Sequence, residues 1–459
     1  MAERLVVVGG DAAGMSAASQ ARRMRGPDDL AIVAFERGSF TSYSACGIPY
    51  YVSTAVDDLG KLVVRSPEVF RDKHSIDARI KTEVTEIDLE RRAVHVRGPA
   101  GAEGWEGFDE LVVATGAVPV RPDLPGAEAL GIFGVQTLDD GVAVRTAVEK
   151  EEPRRGVVVG GGYIGVEMAE AFKARGMDVT VVESEPQPMS SLDADMGALV
   201  AEAMRAIGIE VLTEEGVTAF EASGGRVEAV VTESRTLPAD IVVLGLGVRP
   251  NVELAERAGI PTGAAGGIEV DRRMRARVEG VWAAGDCVQK WHRIAQRPVA
   301  LPLGTHANKE GRVAGINIGG GYATFPGVLG TAASKVCNVE LARTGLKESQ
   351  TGEAGLEGLG VVVGSTTRAG YFPGAAPITT KMVVERRTGR LLGAQIVGQH
   401  GAAKRIDVLA TALWNGMGVD DLLNMDLSYA PPFSPVWDPV LIAARTAWHR
   451  VEETMTGCR

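Results

Sequence analysis

The sequence predicts an α/β protein with two dinucleotide-binding units of the Rossmann type, followed by a smaller α+β domain. Two observations predict the units: an apolar strand, a glycine-rich turn and a helix occur at residues 5–25, and this pattern recurs at residues 155–175. A third is the change after about Phe325, where alternating strands replace the repeated pattern. The length of 459 residues suits about three domains of about 150 residues each.

The first glycine-rich turn follows the apolar strand at residues 5–8. Gly9 permits the tight turn, and Gly14 permits close packing of the next helix, predicted from Met15 to Arg25. A pyrophosphate would lie at the N-terminus of this helix, where free N–H groups attract an anion.

Two acidic residues qualify this interpretation. Asp11 stands where the usual GxGxxG pattern has its second glycine, and an acid near a pyrophosphate is unfavourable unless its side chain points away. Glu36 ends the next strand, where an acid commonly binds the adenosine ribose. The sequence therefore predicts a dinucleotide site with one departure from the pattern.

The second turn carries the complete pattern, with Gly160, Gly162 and Gly165 between a strand and a helix predicted from Val166 to Arg175. The following strand ends at Glu183, which can accept hydrogen bonds from both ribose hydroxyls. A 2′-phosphate would meet acidic residues and no adjacent arginine there. The pattern favours NADH, with NADPH as the alternative.

The segments between and after these units predict two connections between domains and one strand whose end lies at a ligand-binding site. Ala114-Thr115-Gly116 and the stretch 247–251 each follow an apolar strand and mark crossings between domains. The strand Val281–Ala283 brings Asp286 to the edge of a sheet where ligands bind. A helix beginning near Pro302 could direct its N-terminus at an electron-rich ring.

The C-terminal part is predicted as an α+β domain. Strands are expected around residues 361–363, 380–384 and 392–397, together with two helices, the first from about Lys404 to Trp414. The domain ends in an aromatic and proline-rich stretch at residues 429–437.

The chemistry is predicted at Thr41–Tyr51, where Cys46 stands among small and hydroxyl residues. The four cysteines form no closely spaced pair, so a reactive thiol is expected rather than a disulfide framework or a zinc site. Cys287, Cys337 and Cys458 are interpreted as packing residues. Two dinucleotide sites and one reactive thiol predict electron flow from nicotinamide through a flavin to sulfur.

Composition limits the partners. The net charge of −11 argues against a nucleic-acid surface. No uncharged apolar run of about 18 residues predicts a membrane span. Residues 1–4 lead directly into a strand without a signal-peptide pattern. We expect a cytoplasmic protein that binds neither nucleic acid nor membrane.

Over nearly its full length the sequence resembles the flavin-dependent pyridine nucleotide-disulfide oxidoreductases. The match is carried by the paired glycine turns, by Ala114-Thr115-Gly116, by Gly247-Val248-Arg249-Pro250-Asn251 and by Ala283-Ala284-Gly285-Asp286. The resemblance implies an FAD domain at 1–117 and 250–324, an NAD(P)H domain inserted at 118–249, and a dimerisation domain at 325–459. It implies that FAD and NAD(P)H contact Gly9, Gly14, Glu36, Arg37, Thr115, Gly116, Asp286, Ala307, Gly160, Gly162, Tyr163, Gly165, Glu183 and Gly247, with Asp286 on the flavin ribitol and Tyr163 gating the nicotinamide pocket.

The cysteine stretch is similar to one branch of this superfamily. Enzymes like glutathione reductase have two cysteines five positions apart, whereas Tyr51 stands five positions after Cys46. The stretch resembles the single-cysteine branch, which holds coenzyme A-disulfide reductases, persulfide reductases, NADH oxidases and NADH peroxidases, and most of all the coenzyme A-disulfide reductases.

That family resemblance implies a homodimer whose active site is shared between subunits. Cys46 would be the redox centre, with Ser42 beside it and with Tyr371 and Tyr429 reaching the sulfur from the partner chain. Coenzyme A would contact Ser16, Gln20, Arg23, Ser42, Ala45 and His74, where His74 replaces a lysine of the family and has Lys73 beside it.

The leading hypothesis is reduction of coenzyme A disulfide, or of a related persulfide or polysulfide, through a Cys46–coenzyme A mixed disulfide. One alternative is an NADH oxidase or peroxidase in which Cys46 cycles through a sulfenic acid. Another is a flavoprotein that passes electrons to a protein partner. Tyr371 and Tyr429 could also be ordinary aromatic residues of a dimer interface.

Overall fold

The computed structural model describes residues 2–457, so the prediction for Cys458 lies outside the described residues. The first part contains β1 (Glu3–Val8), α1 (Ala12–Met24), β2 (Leu30–Phe35), α2 (Ile48–Val52), α3 (Pro67–His74), β3 (Ile76–Arg79), β4 (Glu83–Asp88), β5 (Ala93–Arg97), β6 (Glu103–Gly107) and β7 (Glu110–Val113).

The middle part contains β8 (Ala117–Pro119), β9 (Ile132–Gly134), α4 (Leu138–Glu151), β10 (Arg155–Val159), α5 (Tyr163–Ala174), β11 (Asp178–Val182), α6 (Ala194–Ala206), β12 (Ile209–Leu212), β13 (Val217–Ser223), β14 (Arg226–Thr232), β15 (Thr236–Pro238), β16 (Ile241–Leu244) and β17 (Val248–Pro250).

The remaining elements are α7 (Glu253–Arg257), β18 (Val281–Ala283), β19 (Lys290–His292), β20 (Arg297–Val299), α8 (Gly304–Ile318), β21 (Ala332–Val336), β22 (Val339–Gly345), β23 (Gly358–Thr366), β24 (Pro377–Glu385), β25 (Leu391–Gly398), α9 (Ile406–Trp414), α10 (Val419–Leu423) and α11 (Pro439–Gly457).

Two parallel five-stranded sheets form the dinucleotide-binding units. The first has the order β18-β7-β1-β2-β3 and the second the order β12-β11-β10-β16-β9. The apolar strands at the centre of each sheet are buried, as parallel strands covered on both faces require. Because β18 joins a sheet otherwise built from residues 3–113, the second unit is inserted into the first, which confirms the predicted fold class.

The chain crosses between the two units through a short antiparallel pair, β8 with β17. The sequence predicted this crossing from Ala114-Thr115-Gly116, directly before β8, and from residues 247–251, which contain β17. The domain boundaries at 117/118, 249/250 and 324/325 remain a proposal.

The C-terminal domain is an antiparallel five-stranded sheet in the order β21-β22-β25-β24-β23. Up to residue 457 it has three α-helices rather than the two predicted. Helices α9, α10 and α11 pack their apolar faces on the sheet to form a separate core. The additional helix is α10, whose five residues are too few to show a helical period in the sequence.

Both turn helices begin three residues earlier than predicted. Helix α1 begins at Ala12 and α5 at Tyr163, so Gly14 and Gly165 lie inside the first helical turns. The residues before them, Asp11 and Gly162, are extended N-cap residues. An early start leaves the free N–H groups of the first turn at the end of the strand, where a phosphate can reach them.

The cysteine stretch lies between the two units. Ile48 and Val52 of α2 pack in the same buried cluster as Leu138 and Phe172 of the second unit. None of the helices between residues 2 and 457 combines the length and apolarity needed to cross a bilayer.

Candidate active site

The first glycine turn packs too tightly to admit side chains. A Cβ atom on Gly14 would lie 1.9 Å from the carbonyl oxygen of Gly9, and one on Gly9 would lie 2.1 Å from that of Ala114. Gly9 also has a φ of +108°, in the left-handed region. This packing brings the N-terminus of α1 against the end of β1, as pyrophosphate binding requires.

Asp11 points away from this turn toward the cysteine stretch. Its Oδ1 accepts a hydrogen bond from the Tyr43 N–H at 3.2 Å. Burial raises the pKa of Asp11 to about 7, and the charge of Glu36 adds to the effect. The departure from the glycine pattern therefore links the turn to the residues around Cys46.

Glu36 locks the same turn from the neighbouring strand. Its carboxylate accepts the N–H of Gly10 at 2.8 Å and that of Gly38 at 2.6 Å. A cavity of about 360 Å³ opens beside Glu36 and Arg37 and extends to Arg121. These residues suit the adenosine half of a dinucleotide.

The predicted residues at the crossing come together. The Thr115 hydroxyl donates to the carbonyl oxygen of Asn251 at 2.6 Å, and the Asn251 N–H donates to the carbonyl oxygen of Gly116. Gly247 accepts a hydrogen bond from the N–H of Val120. The crossing is thus held on both strands.

Asp286 and Ala307 lie where α1, β18 and α8 meet. A Cβ on Gly285 would lie 2.8 Å from Cβ of Ala13 and 3.8 Å from that of Ala307. Among the described residues, Asp286 Oδ1 is buried without a hydrogen-bond partner. A buried acceptor without a partner fits a bound polar group such as the ribityl hydroxyls of FAD.

The second turn repeats the geometry of the first. A Cβ on Gly165 would lie 2.0 Å from the carbonyl oxygen of Gly160, whereas one on Gly162 would find only Gly245 O, at 3.8 Å. Glu183 accepts the N–H of Gly161 at 2.7 Å, as Glu36 does for Gly10. Such a turn fits a second dinucleotide, NAD(P)H.

Tyr163 is the first residue of α5 and stands at this turn. Its hydroxyl is buried and has no hydrogen-bond partner within the part of the chain that the structure describes. Burial raises the pKa of Tyr163, so the phenol stays neutral. The role of Tyr163 as a gate of the nicotinamide pocket remains a prediction.

Cys46 lies in a one-turn 3-10 helix, Ala45–Gly47, directly before α2. The preceding strand-like segment is pinned on both sides: the Ser42 N–H donates to Gly10 O at 3.0 Å, and the Val64 N–H donates to Ser42 O at 2.8 Å. Ser42 has a φ of +47°, a left-handed backbone that favours glycine. Pinning on both sides maintains this conformation.

The Cys46 residue is exposed, although part of its thiol is enclosed. That partial burial, followed by the negative charge of Glu167, raises the pKa of Cys46 above its usual range. A reactive thiol, by contrast, requires a lowered pKa. The groups of this one chain raise the pKa of Cys46 and so disfavour the thiolate. A thiolate at this position therefore requires stabilisation from a separate molecule, such as the cofactor or a partner subunit.

Glu167 is a functional candidate that the sequence interpretation missed. It lies on α5, accepts a hydrogen bond from the Ser334 hydroxyl, and is more than half buried, which raises its pKa. Glu167 lies two positions after Gly165, the last glycine of the second turn. The sequence does not link it to Cys46, which is 121 positions earlier, and only the fold brings the two residues near each other.

Three predicted coenzyme A contacts share one face of α1, at intervals of four and three residues. Ser16 donates to Asn308 at 2.8 Å, and Gln20 accepts a long hydrogen bond from Arg23 at 3.4 Å. Arg23 is exposed, whereas Arg22 already donates to three backbone carbonyls. Arg23 is therefore the guanidinium of this helix best able to meet a phosphate.

His74 ends α3 and lies 6.0 Å, between ring centroids, from Phe70. The adjacent Ser75 carbonyl oxygen accepts a hydrogen bond from Arg22 of α1. The predicted phosphate contact thus lies at the end of α1 that carries Arg23, and Lys73 beside it is exposed.

Tyr371 and Tyr429 lie together on the C-terminal domain, with 78% and 46% of their surfaces exposed. Hydrogen bonding with Tyr371 raises the pKa of Tyr429. The groups whose charges act on Cys46 within one chain are Glu167, Asp286 and Asp11. One chain therefore pairs the tyrosines with each other rather than with the thiol.

The other described cysteines have different settings. Cys287 is fully buried and donates to two backbone carbonyls, and burial raises its pKa. Cys337 is half-buried in a hairpin turn, and burial raises its pKa to about 11. Both thiols stay protonated at neutral pH, as suits packing residues.

Comparison with known families decides the assignment. Residues 3–304 match the family described as pyridine nucleotide-disulphide oxidoreductase, and residues 331–439 match its dimerisation domain. The chain belongs to the pyridine nucleotide-disulphide oxidoreductase family. It is an NAD(P)H-dependent flavoprotein oxidoreductase, and the matched dimerisation domain fits a homodimer.

Three similar proteins refine the comparison. The NAD(P)H coenzyme A polysulfide/persulfide reductase of Pyrococcus horikoshii is 40% identical, over 97% of this chain and 98% of the relative. The NADH oxidase of Methanocaldococcus jannaschii is 35% identical, over 97% and 98%. The crystal structure of reduced Bacillus anthracis CoADR-RHD has a TM-score of 0.94 at 33% identity, covering 98% of this chain and 81% of that chain.

Proposed function

We propose that the chain reduces coenzyme A disulfide, or a related coenzyme A persulfide or polysulfide, with NADH, and with NADPH as the alternative donor. The observation that carries the proposal is the setting of Cys46. This exposed thiol is unpaired among the described residues, adjoins the first dinucleotide turn, and has Tyr51 rather than a cysteine five positions later. A disulfide at this site must therefore form with an external thiol.

Coenzyme A is supported as that thiol by the Pyrococcus relative, whose name includes it. In the proposal, Ser16, Gln20 and Arg23 bind the nucleotide part along α1, with Arg23 on a phosphate. Ala45 and Ser42 contact the end that carries the sulfur, and His74 adds a further phosphate contact.

The proposed reaction has two sulfur steps. The Cys46 thiolate attacks one sulfur of the disulfide, so that one S–S bond breaks, a first thiolate leaves and a Cys46–coenzyme A disulfide forms. Bound FAD supplies the relay of two electrons from NAD(P)H. When two electrons reach the mixed disulfide, its S–S bond breaks and returns the Cys46 thiolate and a second thiol. One NADH and one proton thus convert one disulfide into two thiols.

A second chain completes the proposed site. The partner subunit's Tyr429, held by the partner subunit's Tyr371, donates a proton to the leaving thiolate. A tyrosine keeps its proton at neutral pH because its ordinary pKa is about 10, so this phenol has a proton to donate.

The test is the mass of the purified, unreduced protein, with peptide mapping of Cys46. We expect a coenzyme A adduct on Cys46 that dithiothreitol removes, and NADH oxidation that depends on coenzyme A disulfide. Cys46→Ser should abolish both, and the matched control Cys337→Ser should retain both. A bare Cys46 in a protein that does not oxidise NADH with any coenzyme A disulfide or persulfide would contradict the proposal.

The second candidate is an NADH oxidase or peroxidase, which the 35% identity to the Methanocaldococcus NADH oxidase favours. Cys46 would then cycle through a sulfenic acid. Oxygen or peroxide consumption with NADH, together with a sulfenic acid and no coenzyme A on Cys46, would favour this candidate.

A further inference from the structure

A lysine and a glutamate lie fully buried behind the turn that carries Asp286. The Lys290 side chain is 1% exposed and the Glu310 side chain 0% exposed, and their charged atoms, Nζ and Oε2, are 3.6 Å apart. Lysine and glutamate are rarely buried to this degree. Neither residue takes part in the sulfur chemistry proposed above.

The two side chains bind both backbone polar groups of one residue, Gly285. Its N–H donates to Glu310 Oε2 at 2.8 Å, and its carbonyl oxygen accepts from Lys290 Nζ at 2.8 Å. Lys290 also donates to the carbonyl oxygen of Val288 at 3.0 Å. The ion pair therefore clamps the peptide groups on both sides of Gly285.

Gly285 has little freedom to adopt another conformation. Its φ is +92°, in the left-handed region, and a Cβ there would come within 2.8 Å of Ala13 Cβ. Asp286 follows immediately, and its Oδ1 is buried without a partner among residues 2–457. The clamp on Gly285 thus determines where this carboxylate points.

We propose that Lys290 and Glu310 are positioning residues for the flavin: they fix the Gly285–Asp286 turn and place two opposite charges behind the cofactor. The proposal rests on the use of FAD, which the family membership shows, and not on the choice of coenzyme A as substrate. The residues act through Gly285 and need not touch the flavin.

Other charged or titratable groups face this pair and must be held constant. Asp286 of the same turn acts on Glu310, and the charge of Lys290 acts on Cys287 and on His306 of α8. Lys309 and His292 act on His306, and Asp286 acts on Asp11 at the N-cap of α1. Glu310 itself has a pKa raised to about 7 by burial, so measurements belong at about pH 8, where its carboxylate is charged.

The experiment uses Lys290→Met, Glu310→Gln and the double variant, each stripped of flavin and titrated with FAD. Lys290→Met removes the donor to the Gly285 carbonyl, and we expect an FAD dissociation constant raised by at least about tenfold. The double variant carries no unpaired buried charge, so it keeps the test valid if Lys290→Met fails to fold. It should show a similar loss, because the Gly285 carbonyl is still left without its donor.

The matched control is Lys381→Met. Lys381 is also a buried lysine, 6% exposed and 3.4 Å from Asp193, but it lies in the interface of α6 with the C-terminal sheet. Loss of the Lys381 ion pair should lower the melting temperature without weakening the binding of FAD. Equal weakening by Lys381→Met, or FAD affinities within about twofold of wild type in both Lys290 variants, would overturn the proposal.

The flavin midpoint potential gives a readout that structural damage alone would not produce. Removing the positive charge of Lys290 should make reduction harder and shift the potential to more negative values, whereas Glu310→Gln should shift it to more positive values. Shifts in the same direction, or none, would overturn the charge role. Neither measurement uses a disulfide, so evidence against coenzyme A as substrate would leave this test intact.

Discussion

At the scale of single residues, Glu167 is the charge that acts most strongly on Cys46. Because its carboxylate disfavours the thiolate, Glu167→Gln should lower the pKa of Cys46, although burial will still hold it above the usual value. We expect the rate of Cys46 alkylation by iodoacetamide in the flavin-free protein at pH 8 to rise by roughly threefold. Peptide-resolved mass spectrometry between pH 6.5 and 10 measures this.

Glu170 provides the control, one turn further along α5. It pairs with Lys335 at 2.6 Å and acts on Cys337 instead. Glu170→Gln should leave the pH profile of Cys46 alkylation unchanged. Equal shifts of that profile in both variants would show that the effect does not come from the charge of Glu167.

Residue roles differed in how far the sequence could predict them. Gly9 and Gly14 were predictable because the features that require glycine are local: a tight turn at Gly9 and the close approach of Gly14 to the Gly9 carbonyl oxygen. Lys290 and Glu310 were not, because neither belongs to a motif and each is defined by contact with Gly285. Glu167 likewise depends on Ser334, which is 167 positions away and joins it only in the folded chain.

At the scale of elements, we expect the end of β11 to determine the choice between NADH and NADPH. Glu183→Ala with Ser184→Arg removes the acid that would repel a 2′-phosphate and adds a guanidinium to bind it. We expect the ratio of kcat/KM for NADPH to that for NADH to rise by at least about tenfold. NADH efficiency should also fall, because Glu183 holds the Gly161 N–H.

A matched acid on the next strand controls for this experiment. Glu210 of β12 is exposed and accepts a hydrogen bond from Thr180 at 3.0 Å. Glu210→Gln should leave the ratio at the wild-type value. If the double variant lost activity equally with both cofactors, Glu183 would be a structural residue only.

Helices and strands were predictable where a hydrophobic period or a run of apolar residues extended over many positions. The central strands of both parallel sheets are continuous apolar runs, and β1 contains the apolar strand predicted at residues 5–8. The helix starts at Ala12 and Tyr163 were placed too late, because small residues and glycines carry little helical signal. The proximity of Tyr371 to Tyr429 could not be read from residues 58 positions apart in loops.

At the scale of the whole molecule, a shared active site predicts complementation between inactive chains. Cys46→Ser and Tyr371→Phe/Tyr429→Phe homodimers should each be nearly inactive with the disulfide substrate. A mixed dimer joins one intact Cys46 to the intact tyrosines of the other chain. An equal mixture, refolded together, should recover about a quarter of wild-type activity.

The control for complementation is the same mixture left as separate homodimers without refolding, which should stay inactive. Absence of recovery in verified mixed dimers would place thiol and tyrosines in one chain. That result would contradict the shared site and leave the family membership unchanged.

The stability of the whole chain should depend on pH through His292. Burial lowers the pKa of His292 from 6.5 to about 4, and its Nδ1 accepts the N–H groups of Ile294 and Ala295. The folded state favours the neutral imidazole of His292. The contribution of His292 to the free energy of unfolding is therefore fully present above pH 6.5 and is lost as the pH falls toward 4. The loss approaches about 1.4 kcal/mol per pH unit for one such group.

His292→Asn keeps an acceptor for the two N–H groups and cannot titrate. The free energy of unfolding of this variant, measured in urea at pH 7 and pH 5, should therefore fall less than that of wild type. His400→Asn is the control, because the His400 side chain is 89% exposed. Parallel losses in wild type and His292→Asn would contradict the role of His292.

The two glycine turns differ at the second glycine of the GxGxxG pattern, where the first turn has Asp11 and the second has Gly162. Asp11 ties the first turn to Tyr43, whereas Gly162 has no side chain with which to tie the second. A flavoenzyme keeps its flavin through many turnovers but must exchange its nicotinamide in each one. Both turns are held by a glutamate, and the first has the additional hydrogen bond between Asp11 and Tyr43. This additional bond suits a ligand with a long residence time, and its absence from the second turn suits a ligand that is exchanged in every turnover.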